Sequence, residues 1–360
     1  MTDAAGRAVQ TVLGPVPPDQ LGRVLHHEHL LSLTPGPWLS GGRPADGPAA
    51  APGGTTDALR DEDQVARAVE ALSGLRALGF GTVVDLSPYG VVGRDAHGAN
   101  VALLEEISRR AGVHVVTGTS VYLEAFSPAW AVRASVEEMT ERFVLDATEG
   151  IGGTTVRAGV LGEQATSLGT ITPHERKCLV AAARAARRTG LALVTHTTHG
   201  TMALEQVDLL ADEGLDLGRV VIGHMDTHPD TEYVLQVAAR GVSVAFDTVG
   251  KQSWDFRVEP DPPNPPDGEF GKRAYRRSDH VRAARVAALV AAGFTDRVLL
   301  SHDLTGEEVY LNRQTHGEWG YTYLGTAFAT LLAEHGVSPA QLDVMLRDNP
   351  ARMLTVGSVG

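Results

Sequence analysis

At 360 residues, 43% of them hydrophobic, the chain can bury a large core as one big domain or two ordinary ones. Its 31 basic residues against 44 acidic ones give a net charge of −13, which leaves no polybasic surface for a phosphate backbone and excludes nucleic acid as an expected partner. A single cysteine, Cys178, excludes an intramolecular disulfide and a thiolate-rich zinc site, and fits a reduced, cytoplasmic setting.

The first 18 residues carry Asp3 early and lack the basic start and apolar stretch of a secretory leader. No run approaches the roughly 18 consecutive apolar residues that span a bilayer, so no membrane association is expected. Short runs rich in Val, Leu and Ile then recur, each followed by a longer stretch of helical period. Eight such runs lie at 23–31, 81–87, 114–122, 155–163, 192–198, 219–226, 241–249 and 297–304. Helices are predicted between them, for example over 57–78 and 173–189. The second opens with Thr172, Pro173 and Glu175, an N-cap, a first-turn proline and a capping-box partner.

Eight near-continuous apolar strands alternating with helices suggest a parallel sheet covered on both faces, and at this length they favour a closed (β/α)8 TIM barrel. A doubly wound open sheet is the alternative. It is disfavoured because no G-x-G-x-x-G follows the first strand. Two segments rich in Pro and Gly, 34–56 and 253–276, interrupt the pattern. Domain linkers would read the same way, but each follows a strand directly and in a barrel would rise from the C-terminal face, where active sites are built. They are read as lids on a single domain spanning 1–360.

Polar residues gather at the predicted strand ends. His27 and His29 flank Glu28, and at i and i+2 the two imidazoles share one face of a strand and can chelate one metal; His26 leaves the register ambiguous, because His26 and Glu28 would share the other face. Four further runs end in ligand-type residues: His196, His224, Asp303 and Glu163. Each alone is a common loop cap. Together they put four imidazoles and two carboxylates on one rim, a set of nitrogen and oxygen ligands suited to two divalent metals such as Zn²⁺ or Mn²⁺ sharing a carboxylate.

The stretches GRVLHHEHL (22–30), RAG (157–159), THT (195–197), IGH (222–224) and SHD (301–303), with ITPHERK (171–177), FDTVGK (246–251) and DVMLRDNPARML (343–354), resemble the phosphotriesterase family of the amidohydrolase superfamily over nearly the whole chain. The resemblance implies an amidohydrolase-type barrel in which His27, His29 and Asp303 hold the more buried metal and His196 and His224 the more exposed one. Many members bridge the two metals with a carbamylated lysine on the fourth strand. Here Gly162 stands at that place, and Lys177, Lys251 and Lys272 all lie outside the strand. The glutamate-bridged subgroup carries a glutamate one position later, which Glu163 matches. A one-residue shift turns a side chain to the other face of an ideal strand, so the backbone is expected to bend there.

Coordination lowers the pKa of water towards about 7, so the implied function is a hydrolase in which a hydroxide bridging two metals attacks a carboxylic ester, lactone or N-acyl amide. Zinc is the expected metal, with manganese, cobalt and nickel as alternatives. Asp303 is the expected catalytic residue, taking the nucleophile's proton and delivering it to the leaving group. Phosphotriester or phosphodiester hydrolysis is a second reading, and a catalytically idle barrel binding a small molecule is a third. Tyr122, His199, His228 and Lys251 are candidate substrate contacts, Lys251 for an anionic group. Asp226 is a candidate for relaying a proton or orienting a ligand histidine. Cys178 reads as helix packing. The expected partner is a small-molecule substrate, and a homodimer stays open.

Overall fold

The chain enters through a hairpin, β1 (Arg7–Thr11) and β2 (Gly14–Val16). Eight strands then overlap the predicted runs: β3 (Arg23–Glu28), β4 (Phe80–Asp85), β5 (His114–Thr119), β6 (Val160–Thr166), β7 (Leu193–Thr197), β8 (Val220–Ile222), β9 (Ser243–Phe246) and β10 (Val298–Leu300); β6 is the most displaced, starting five residues into its predicted run and ending three after it. This computed structural model describes residues 7–32, 61–251, 278–304 and 320–357. The segments 34–56 and 253–276, read above as lids, lie outside the described residues.

The eight strands pair in parallel in their sequence order, β3 next to β4 and onwards to β10. The last gap, between β10 and β3, is bridged at its C-terminal end: the Asp303 N–H donates to the His27 carbonyl at 3.1 Å and the His27 N–H to Ser301 Oγ at 3.1 Å. The result is a nearly closed (β/α)8 barrel, and the open-sheet alternative falls away. Inside, Val24, Val84, Leu86, Val116, Val160, Val194, Val221, Ala245 and Leu299 form one apolar cluster, plugged at the N-terminal end by Val9, Leu21, Met353 and Leu354. β11 (Val356–Gly357) completes that plug by pairing with β1. A second cluster lies between the strands and the helices outside them. The barrel is therefore a filled core, with its histidines and carboxylates gathered towards the C-terminal rim.

The helices α1 (Asp61–Ala71), α2 (Leu103–Ala111), α3 (Ala129–Arg133), α4 (Val136–Thr148), α5 (Pro173–Thr189), α6 (Ala203–Asp212), α7 (Thr231–Ala239) and α8 (Asp279–Ala291) follow the strands. The helix predicted over 57–78 is shorter: its described part ends at Ala71, and Gly74 turns the chain with φ +86° before the 3-10 turn Arg76–Leu78. A Ser-Gly pair cannot sustain a helix that its own periodicity would continue. α5 matches its prediction, with Thr172 and Glu175 forming the reciprocal capping box and Gly190 left-handed at φ +74° as its C-cap. Beyond Cys178 and Leu179 its buried residues are all alanine, Ala181, Ala182, Ala183, Ala185 and Ala186, which lets that part of the helix pack closely. No helix among the described residues is long and apolar enough to cross a membrane.

Candidate metal centre

Two β-bulges shape the rim. On β3, Leu25 pairs with Val83 and Glu28 with Asp85, so the backbone takes an extra residue at His26 and His27. The bulge removes the register ambiguity, and His27 and His29 converge with ring centroids 5.3 Å apart. His26 is buried with neither ring nitrogen hydrogen-bonded, and burial pushes its pKa down to about 3, which keeps it neutral.

On β6, Leu161 pairs with Leu193 and Gln164 with Thr195, again an extra residue, this time at Gly162 and Glu163. The peptide between them is cis. The extra residue supplies the expected local bend, and Glu163 turns into the barrel: its Oε1 lies 3.6 Å from His29 Nε2, and its Oε2 lies 3.5 Å from His27 Nε2, 3.1 Å from His196 Nδ1 and 3.4 Å from His224 Nε2. A side chain at Gly162 would start 2.7 Å from the Val194 carbonyl oxygen, so on this backbone no lysine fits the family's usual position.

Asp303 closes the ring from β10, its Oδ1 2.9 Å from His29 Nε2 and 3.7 Å from His27 Nε2. His224 Nε2 and His196 Nδ1 stand 2.8 Å apart. His224 and Asp303 both hold left-handed backbones, φ +57° and +53°, a conformation that is costly for residues other than glycine and that collects at functional sites. Asp247, directly after β9, was not singled out from the sequence. Its Oδ2 lies 2.9 Å from His27 Nδ1 and its Oδ1 lies 2.9 Å from His224 Nδ1 and accepts the His224 N–H at 2.9 Å. With Nδ1–H donated to one shared carboxylate, both imidazoles point Nε2 towards Glu163, the nitrogen that would have to give up its proton to ligate a cation. The signal was legible, since Asp247 ends an apolar run as the other rim residues do.

All these groups are buried, which penalises their charged forms. Against burial, Glu163 and Asp247 hold the His27 pKa well above its ordinary value, and Asp247 and Glu163 raise His224 to about 10. Burial and the neighbouring His224 lower His196. Glu163, Asp247 and Asp303 are all held below the usual carboxylate range despite burial, Glu163 chiefly by His27 and His196, Asp247 by His224 and His27, and Asp303 by Lys251 and His29. With the imidazoles neutral, as ligation requires, three buried carboxylates leave a centre that calls for positive charge, and a cation would take the place of the ring protons. Two sets of three, His27–Glu163–His224 and His27–His29–Asp303, bring their ligand atoms within 4.8 Å of one another. Donors around a tetrahedral cation at about 2.0–2.1 Å stand roughly 3.4 Å apart, close to the separations here. His27 Nε2, buried and without a hydrogen bond, lies between the Glu163 and Asp303 oxygens where a cation would meet it. The residues fit divalent cations.

The phosphotriesterase family model matches residues 7–354. The chain belongs to the phosphotriesterase family. It is similar to the phosphotriesterase homology protein of Escherichia coli (strain K12), 34% identical over 81% of this chain and 89% of the relative. The crystal structure of that protein, complexed with phosphate in its active site, aligns with a TM-score of 0.73 at 33% identity, over 93% of this chain and 99% of the other. The N-acetyltaurine hydrolase of Rattus norvegicus is 29% identical over 99% of both chains. A structure from the engineering of organophosphate hydrolysis on a weak promiscuous lactonase template aligns with a TM-score of 0.75 at 29% identity, over 96% and 99% of the two chains.

Around this phosphotriesterase-family centre the other candidates fall into different places. Tyr122, after β5, carries its hydroxyl 3.3 Å from His196 Nε2. Lys251 Nζ lies 2.7 Å from Asp303 Oδ2. Among the described residues Asp226 meets other partners: its Oδ2 takes the Arg282 Nε–H at 2.7 Å and the Thr248 hydroxyl, in a buried ion pair, and the carboxylate that touches site histidines is Asp247. His228 stacks its ring on Tyr233, centroids 4.1 Å apart, and its carbonyl accepts from Arg285, which makes it part of a loop anchor. His199 is buried in the turn after β7 with φ +58°. Cys178 packs in the core, as expected.

Proposed function

We propose that this hydrolase of the phosphotriesterase family works with two divalent cations, zinc by the donor set, held by His27, His29 and Asp303 on one side and His196 and His224 on the other, with Glu163 between them. The observation that supports the reading most directly is the convergence on Glu163, whose two oxygens reach four imidazoles from three strands. The whole chain is then one catalytic barrel. When bound, such cations acidify water and polarise a carbonyl or phosphoryl oxygen. Asp303, anionic and on the rim, accepts the proton of the attacking water and returns it to the departing oxygen or nitrogen. Tyr122 donates to the substrate's carbonyl oxygen beside His196, a reading supported by its hydroxyl 3.3 Å from His196 Nε2. Lys251 offers a cation to an acidic substituent.

The substrate class is a carboxylic ester, lactone or N-acyl amide carrying an anionic group. The rat relative's name describes an N-acyl amide with a sulfonate, and the engineered relative's describes a lactonase template. Phosphoester hydrolysis is the second reading, favoured by the phosphate in the E. coli relative. A panel of lactones, N-acyl amino sulfonates and carboxylates, and paraoxon-like esters separates them. Turnover at least tenfold higher in kcat/KM on the carbon-centred members is expected, and preference for the phosphoesters would reverse the order. Elemental analysis of reconstituted protein is expected to give about two cations per chain.

A further inference from the structure

Glu28, between the two histidines of β3, is fully buried, and its carboxylate is occupied by one short stretch of chain after β10. Its Oε1 accepts from Ser301 Oγ at 2.7 Å, from the His302 N–H at 3.0 Å and from His302 Nδ1 at 3.0 Å, and its Oε2 accepts from the Leu304 N–H at 3.0 Å. The His302 ring is fixed from its far side, where Nε2 accepts the Leu324 N–H at 3.2 Å, so Nδ1 carries the proton that points at Glu28. Asp303 is enclosed by these contacts. It holds φ +53°, its N–H donates to the His27 carbonyl at 3.1 Å, and its Oδ1 lies 2.9 Å from His29 Nε2.

We infer that Glu28 is a positioning residue for Asp303: by gripping Ser301, His302 and Leu304 on both sides it holds Asp303 in the left-handed conformation that aims its carboxylate at the histidine pair. The inference rests on the metal-centre reading above. A left-handed aspartate relaxes to a commoner backbone unless its neighbours over-determine it, and here four donors converge on one anion from both sides of the turn. The chemistry demands a carboxylate. All four contacts are donors, so a glutamine would turn its own N–H₂ against one of them and leave two buried donors opposed. Because both Glu28 oxygens are used on the turn, the residue acts on the centre only through Asp303, and through the His27 N–H that Ser301 Oγ accepts.

The test is cobalt(II) titration of the full-length apo-protein, read by visible absorbance and by equilibrium dialysis, on wild type, Glu28→Gln and Asp303→Asn. Loss of an outer partner of a ligand costs about 10- to 100-fold in metal affinity. Glu28→Gln is expected to weaken one cobalt ion by that factor, leave the other unchanged and reproduce the pattern of Asp303→Asn. Wild-type protein that binds no cobalt would overturn the metal-centre reading and this inference with it. Wild-type binding that Glu28→Gln leaves intact, or weakens equally at both ions, would overturn the inference alone, since a loss shared by both ions marks a merely structural role. If Glu28→Gln does not fold, His302→Ala removes one donor and keeps the carboxylate; the same selective loss is expected there, and unchanged binding in a folded His302→Ala overturns the inference.

Discussion

Lys251 and Asp303 form a nearly buried ion pair, Nζ to Oδ2 at 2.7 Å, with side chains 7% and 11% exposed. The ammonium thus sits one bond away from the carboxylate proposed to move protons. Any anionic substituent that reaches Lys251 arrives with its reacting carbonyl near the centre, at a distance set by the substrate's own length. Removing a charge-assisted hydrogen bond of this kind costs about 1.5–3 kcal/mol. Lys251→Met is therefore expected to lower kcat/KM for anionic substrates about 10- to 100-fold more than for neutral analogues of the same length. Matched steady-state assays check this. A loss that ignores substrate charge would assign Lys251 to holding Asp303 instead.

Asp247 serves two histidines with one carboxylate, at 2.9 Å on each side. An asparagine there can accept from only one imidazole and must offer N–H₂ to the other, which forces that ring into the wrong tautomer. Asp247→Asn is expected to fold normally by circular dichroism but to lose cation affinity by about 10- to 100-fold. Dialysis against graded chelator followed by metal analysis measures the difference, and equal retention by both proteins would refute the shared-carboxylate role.

A glutamate bridge assembles without carbon dioxide, whereas a carbamylated lysine does not. Gly162 leaves no room for a side chain next to Val194, and the lysines lie elsewhere. Apo-protein is expected to recover equally with metal alone and with metal plus bicarbonate. Glu163→Gln is expected to lose most bound metal and activity by orders of magnitude. A bicarbonate requirement, or a Gln variant with full metal, would remove Glu163 from the bridge.

Burial pushes the Cys178 thiol up from 9.0 to about 12. The folded chain holds this proton more tightly than the unfolded one, so its contribution to stability is complete below pH 9.0 and is lost as the pH rises towards 12. Urea denaturation from pH 8 to 11 is expected to show a steeper alkaline decline for wild type than for Cys178→Ala. Native protein should also resist thiol reagents at neutral pH until it is unfolded.

Local patterns carried much of this molecule. The alternation of eight apolar runs with helical stretches located every barrel strand, and the Thr172–Glu175 capping box located α5, because strand burial, period and caps depend on neighbours only a few residues apart. The His27–His29 spacing and the histidines and carboxylates ending later strands named the residues that meet at the rim. Missed were residues whose meaning lies wholly in their partner. Asp226 and Asp247 look alike in sequence, each one to four residues beyond a strand, yet one is neutralised by Arg282 and the other serves His27 and His224.

From the amino-acid order alone, then, came the fold class and the candidate ligands, and the family resemblance drew attention to Gly162 and Glu163 where many members carry a lysine. Tertiary structure alone decided which of these side chains touch. His27 and Asp247 are separated by 220 residues, and Glu28 and Ser301 by 273, so their hydrogen bonds exist only once the barrel has nearly closed. The inward turn of Glu163 likewise comes from a bulge against β7 rather than from the alternation of its own strand. An extra residue in a ladder reverses the facing of a side chain, and the pairing that accommodates it is set by the neighbouring strand.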